Sequence, residues 1–187
     1  MSDYIAVIPT VPDFVPAPDD VRRAMEFLIE RDIVRSDGPN FTTGAKTGDL
    51  IRDPKTVLVD GKPVLSAAVS RVVVESHPAL RGHAGRNFEP IACRACSAEL
   101  PFDEMLAALG AADGRHALTQ AELTIVCFHC AAKNFGPEHD YGFSGGFARF
   151  EIRFEVSTTR QTIGDAVLLK ELGAILGRPV KFVQVLE

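Results

Sequence analysis

"FARFEIRFEV", residues 147–156, alternates without a break. Phe150, Ile152, Phe154 and Val156 point one way, and Arg149, Glu151, Arg153 and Glu155 point the other. A period of two marks a strand with one buried face, and the alternating charges are expected on its wet face. After a polar turn, "DAVLLKELGAILG" (165–177) changes to helical spacing, with Val167, Leu168, Leu172, Ile175 and Leu176 in one apolar stripe. Gly177 is placed to cap that helix and Pro179 to prevent its continuation. "VKFVQVL" (180–186) then closes as a strand.

The other end of the chain has the same character. "DYIAVIPTV" (3–11) reads as a strand that the prolines of "VPDFVPAP" cannot continue. Asp19 and Asp20 lead a helix whose stripe is Val21, Ala24, Met25, Leu28 and Ile29; the acids suit the positive end of its dipole. Residues 36–49, "SDGPNFTTGAKTGD", are rich in turn formers and have no periodicity, so they are expected to form a surface loop. "TVLVDGKPVLS" carries an Asp60-Gly61 hairpin turn between apolar runs, and "SAAVSRVVVES" is a further strand. These elements specify an α+β fold: a mixed or antiparallel sheet with helices on one face, arranged in a ferredoxin-like way.

Between these parts lie all four cysteines of the chain, as two pairs at one spacing. Cys93 and Cys96 fall in "IACRACSAEL" (91–100), and Cys127 and Cys130 in "TIVCFHCAAKN" (124–134). Thiolates at i and i+3 on a tight turn supply two ligands at once, and two such turns complete the tetrahedral shell of a zinc ion. Each pair follows strand-like residues, so each turn sits at a strand end. Over residues 89–139 this arrangement resembles the zinc ribbon family with its two zinc knuckles. The resemblance implies one structural Zn2+ bound by Cys93, Cys96, Cys127 and Cys130. The sequence departs from the usual knuckle at Arg94 and Phe128, after the first cysteines, and at Ser97 and Ala131, where glycine is common. "PFDEMLAALG" (101–110) adds a helix with Phe102, Met105, Leu106 and Leu109 on one side. The expected organisation is an α+β domain of residues 1–88 plus 140–187, with 89–139 as an inserted zinc-ribbon module.

Four matched thiols in a chain of this kind fit a reducing compartment and a metal better than a disulfide framework. The N-terminus has no basic segment leading into an apolar core. The longest apolar stretch of helical character, "AVLLKELGAIL", holds Lys170 and Glu171 and is too short to span a bilayer. A soluble, cytoplasmic protein without a membrane partner is expected. The net charge is −5, and between Cys93 and Cys130 Arg94 and Arg115 face Glu99, Asp103, Glu104, Asp113 and Glu122. That balance repels phosphate and argues against nucleic acid. Residues 38–49 contain glycines and a lysine but not the G-x-x-x-x-G-K-[ST] spacing of a phosphate-binding loop.

No catalytic constellation accompanies the cysteines. His77, His83, His116 and His139 fall in loop-like sequence and read as solvated; His129, inside the second knuckle, reads as an exposed residue between two ligands. In "HDYGFSGGFARF" (139–150), Tyr141, Phe143 and Phe147 among glycines are the candidate contacts for a partner, set against a plain connector. The function expected is therefore a non-enzymatic protein-binding module stiffened by zinc, of the adaptor, inhibitor or toxin-immunity type. The alternatives are a thiol–disulfide oxidoreductase using one C-x2-C pair and a transcription or RNA accessory factor.

Overall fold

A computed structural model describes residues 3–38, 40–47, 51–52, 58–59, 62–63, 68–157 and 163–186. In chain order the strands and helices are β1 (Tyr4–Pro9), α1 (Pro18–Glu30), β2 (Val34–Asp37), β3 (Asn40–Thr43), β4 (Ile51–Arg52), β5 (Leu58–Val59), β6 (Lys62–Pro63), β7 (Ala68–Ala84), α2 (Phe102–Ala111), β8 (Thr124–Val126), β9 (Lys133–Phe135), β10 (Gly145–Ser157), β11 (Ile163–Gly164), α3 (Ala166–Leu176) and β12 (Val180–Val185). The fold is α+β. Its main sheet is open, six-stranded and antiparallel, in the order β12-β1-β10-β7-β3-β2.

The strands β12, β1, β10 and β7 form two split strand–helix–strand units. β10 lies between β1 and β7, and β1 lies between β10 and β12. This is the ferredoxin-like pairing logic. Both connecting helices pack on one face, where Ala24, Met25 and Leu28 of α1 and Leu168, Leu172 and Leu176 of α3 meet Ile5, Val7, Phe150, Ile152, Phe154 and Phe182. The apolar side of "FARFEIRFEV" therefore builds the main core. Asp165 caps α3 by accepting from the amides of Val167 and Leu168, and Gly177 ends it at φ 83°, a left-handed conformation that suits a residue without Cβ.

The opposite face is not wet. Alternate residues of β1, β10 and β12 (Tyr4, Ala6, Ile8, Ala148, Val183 and Val185) are buried there as a separate cluster. A strand covered on both sides has no reason to alternate, which is why "YIAVIP" is apolar throughout. The same burial corrects the expectation for β10: Glu151 is 0% exposed and the Arg153 side chain only 14%. The charges of that face are matched to one another inside the protein.

Three further differences have local causes. β2 and β3 pair from Val34↔Thr43 to Asp37↔Asn40, so part of the expected 36–49 loop is a hairpin turning near Gly38, at φ 59°. The turn at Asp60-Gly61 lies outside the described residues, although its flanks pair as Leu58↔Pro63 and Val59↔Lys62. β7 runs far beyond "SAAVSRVVVES", through Pro78 to Ala84. Its register against β10 shifts between Ala148↔Arg81 and Phe150↔Ser76, a bulge that accommodates a residue with no amide to donate.

The cysteine segment leaves the sheet after β7 and returns at β10. Its own core gathers Phe88, Ile91, Leu100, Met105, Leu109, Leu123, Ile125, Tyr141 and Phe147 with Cys93 and Cys127. α2 lies so close to β7 that a Cβ on Gly82 would stand 2.0 Å from the Leu109 carbonyl oxygen, so only glycine fits. Residues 112–114 bond along β7 through Gly82 N–H to Ala112 O (2.7 Å), Ala79 N–H to Gly114 O (3.1 Å) and Gly114 N–H to Leu80 O (3.0 Å).

Candidate metal centre

Each C-x2-C sits at the tip of a short antiparallel pair. The first is flanked by a bridge between Ala92 and Glu99, and the second by β8 and β9, paired from Thr124↔Phe135 to Val126↔Lys133. The backbone repeats itself at the two tips. Cys93 N–H donates to Ala98 O (2.7 Å) and Cys127 N–H to Ala132 O (3.0 Å). Ser97 N–H donates to Cys93 O (2.8 Å) and Ala131 N–H to Cys127 O (2.9 Å). These bonds force the residue after the second cysteine into the left-handed region, and Ser97 (φ 61°) and Ala131 (φ 56°) adopt it although neither is glycine.

The two turns bring all four sulfurs within 4.8 Å of one another. Cys93 Sγ is 3.8 Å from Cys130 Sγ, and Cys96 Sγ is 3.7 Å from Cys127 Sγ. A tetrahedron with bonds of ~2.3 Å has edges of ~3.8 Å, so these separations fit four thiolates around one ion and are too long for disulfides. Cys93 and Cys127 are buried; Cys96 and Cys130 are exposed.

Asn134 ties the knuckles together. It is 4% exposed; its Oδ1 accepts from Arg94 N–H (3.2 Å), and its Nδ2 donates to Ala132 O (3.0 Å) and toward Cys93 Sγ (3.5 Å). Nothing in the cysteine spacing announces this residue, which lies four positions beyond Cys130. The sulfur environment is unequal as a result. Burial opposes ionisation of Cys93, but hydrogen bonds from the amides of Ala95 and Cys96, from Asn134 and from Cys130 outweigh it and bring the thiol down to about 6. Cys130 moves the other way, to about 12: the Ala132 amide favours its thiolate, but Cys96, burial, Cys127 and Cys93 prevail. The low value of Cys93 and the high one of Cys130 apply without a cation, and a bound cation favours the thiolate form of its ligands.

A second group, Glu75, His77 and Glu151, also has ligand atoms within 4.8 Å of one another. Arg81 already stands 3.2 Å from Glu151 and 3.5 Å from Glu75, and Arg153 lies 3.5 Å from each. Two guanidiniums compensate the two carboxylates, so the arrangement is a closed ion network and not a cation site. His77 and His83 belong to it. Their side chains are 13% and 0% exposed on β7, which corrects their reading as solvated loop residues. His116 and His129 are exposed, as expected, and His139 is half-buried.

The candidate partner contacts separate. Tyr141 and Phe147 lie in the core of the cysteine segment at 4% and 3% exposure, their rings 5.9 Å apart, and Tyr141 Oη donates to Gly136 O. Phe143 alone of the three faces outward, at 50%. The most exposed large apolar residue among those described is Phe128, at 78%, between Cys127 and Cys130. No protein-family model, curated protein or solved structure matches the chain.

Proposed function

We propose that Cys93, Cys96, Cys127 and Cys130 hold one structural zinc ion. On this reading the ion fixes residues 89–139 as a small module set into an α+β domain of residues 1–88 plus 140–187. The protein then works without catalysis, as a binding protein for another protein in the manner of an adaptor, an inhibitor or an immunity protein. The observation that carries the reading is the pair of sulfur separations, 3.7 and 3.8 Å, at the tips of two matching turns. Soft thiolate donors in tetrahedral array favour zinc, and four of them leave no open position for water.

Phe128 and Phe143 supply aromatic surface to a partner, as binding hot spots often do. The net charge of −5 favours a basic protein surface and disfavours nucleic acid. Among the described residues no helix is long and apolar enough to cross a membrane. Free thiols at this spacing suit the cytoplasm.

The test is a pull-down from the native host with the tagged chain beside a Cys93→Ser/Cys127→Ser variant, with metal content measured on both. One zinc per chain and one stoichiometric protein partner are expected for the wild type, both lost in the variant. A wild type that carries no metal, or a variant that stays folded and zinc-loaded, ends the metal reading. A zinc-loaded wild type with no protein partner ends the binding reading.

A further inference from the structure

The four sulfurs do not meet solvent equally. Cys96 and Cys130, each the second cysteine of its knuckle, are exposed, whereas Cys93 and Cys127 are 1% exposed. Within a cluster whose sulfurs all lie within 4.8 Å of one another, two approaches below 4 Å run between knuckles, and each joins an exposed sulfur to a buried one: Cys96 to Cys127 at 3.7 Å and Cys130 to Cys93 at 3.8 Å. An accessible thiolate with a second thiolate in reach is the arrangement of a redox-sensing pair. Here it occurs twice.

We infer that the centre is a peroxide-responsive switch, in which an exposed thiolate is oxidised and its buried neighbour on the other knuckle resolves it. The inference rests on the metal reading above. The Cys96 or Cys130 thiolate takes an oxygen atom from hydrogen peroxide, becoming a sulfenic acid and releasing hydroxide. The buried Cys127 or Cys93 thiolate attacks that sulfur, forms the S–S bond and displaces a second hydroxide; two protons from solvent convert both hydroxides to water. Each disulfide thus delivers two electrons to one peroxide. With two of its thiolates consumed the site no longer holds the ion, and the second pair reacts in the same way.

The geometry also specifies the products. The sulfurs of each cross-knuckle pair close from 3.7 or 3.8 Å to the ~2.0 Å of a disulfide, so the bonds are Cys96–Cys127 and Cys93–Cys130. Both join the two knuckles. The oxidised segment therefore keeps its closure after the metal leaves, and a thiol reductant with zinc restores the starting state.

The experiment uses the full chain purified under reducing conditions, with zinc per chain measured first. Hydrogen peroxide is then added in steps, zinc release is followed with a chromogenic chelator, and disulfides are mapped by mass spectrometry after non-reducing proteolysis. The expected result is release of one zinc with Cys96–Cys127 and Cys93–Cys130 as the bonds, reversed by reductant and zinc. Cys130→Ser should still form Cys96–Cys127, and Cys96→Ser should still form Cys93–Cys130. Bonds within a C-x2-C, sulfonic acids without disulfides, or zinc that stays bound through a large molar excess of peroxide would overturn the switch. A chain with no zinc at the outset removes the metal reading and the switch with it, and that outcome is visible before peroxide is added.

Discussion

Glu151 of β10 places one carboxylate oxygen 3.1 Å from Nε2 of His77 on the neighbouring β7, with no part of its own side chain exposed. A buried carboxylate persists only when its charge is answered nearby, and Arg81 at 3.2 Å and Arg153 at 3.5 Å answer it. Replacing Glu151 with alanine removes the buried carboxylate of the network and leaves Arg81 and Arg153 to share the half-exposed Glu75. The expected loss of stability is ~3–5 kcal/mol, read from urea unfolding midpoints. A loss under about 1 kcal/mol would mean that solvent reaches the network and screens it.

Acid should weaken the protein in two steps whose signs follow from the same cluster. Burial holds His83 at about 4, below its ordinary 6.5, so the unfolded chain takes up a proton that the folded chain refuses. The stability due to neutral His83 is complete above pH 6.5 and is lost as pH falls from 6.5 to about 4, by at most ~3 kcal/mol. Burial alone would raise Glu151, but His77, His83, Arg81 and Arg153 hold it at about 2, below its ordinary 4.5. Its contribution is present above 4.5 and is lost as pH falls toward 2. Unfolding curves collected from pH 7.5 to 3 should show the first step in the wild type and a flatter profile between 6.5 and 4 in His83→Gln. Equal slopes in the two proteins would remove His83 from the account.

Asn134 bridges both turns, so Asn134→Ala should loosen the centre without removing a ligand. An outer-shell partner of this kind is typically worth a tenfold to hundredfold change in metal affinity. Competition with a chelator of known affinity measures it. An unchanged affinity would mean that the backbone bonds of the turns position the sulfurs unaided.

Ser97 and Ala131 hold left-handed backbone that glycine adopts without cost. Ala131→Gly and Ser97→Gly should each stabilise the folded knuckle by ~1 kcal/mol. The thermal midpoint of the metal-loaded protein should rise, and the double variant should show roughly the sum. A fall in both single variants would argue that the side chains make contacts worth more than the strain.

Local signals were legible wherever one stretch of chain carried the whole cause. Phe150, Ile152 and Phe154 lie in the core where their alternation puts them; Gly177 ends α3; the four cysteines converge as their spacing requires. What stayed hidden depends on partners far away in sequence. Alternation along β10 separates two faces but cannot say that the charged one is covered, because its counter-charges come from His77 and Arg81 on another strand. Pro78 argues against a strand until the bulge opposite Arg149 is known. Tyr141 and Phe147 sit among glycines as an exposed loop would, yet their rings fill the core of the cysteine segment. Asn134 has no spacing rule at all.

The placement of the cysteine segment between β7 and β10 also bears on how fast the chain can fold. Those two central strands must find each other across residues 85–144, a loop of about sixty residues, and the entropy of closing a loop grows with its length. An ion that clips Cys93 to Cys130 early bypasses the intervening chain and shortens the effective loop to about twenty-five residues. By the logarithmic dependence this lowers the closure cost by ~0.8 kcal/mol, about a fourfold gain in the rate at which the strands meet. Metal bound before the sheet forms would thus act as a folding catalyst for the part of the protein it never touches.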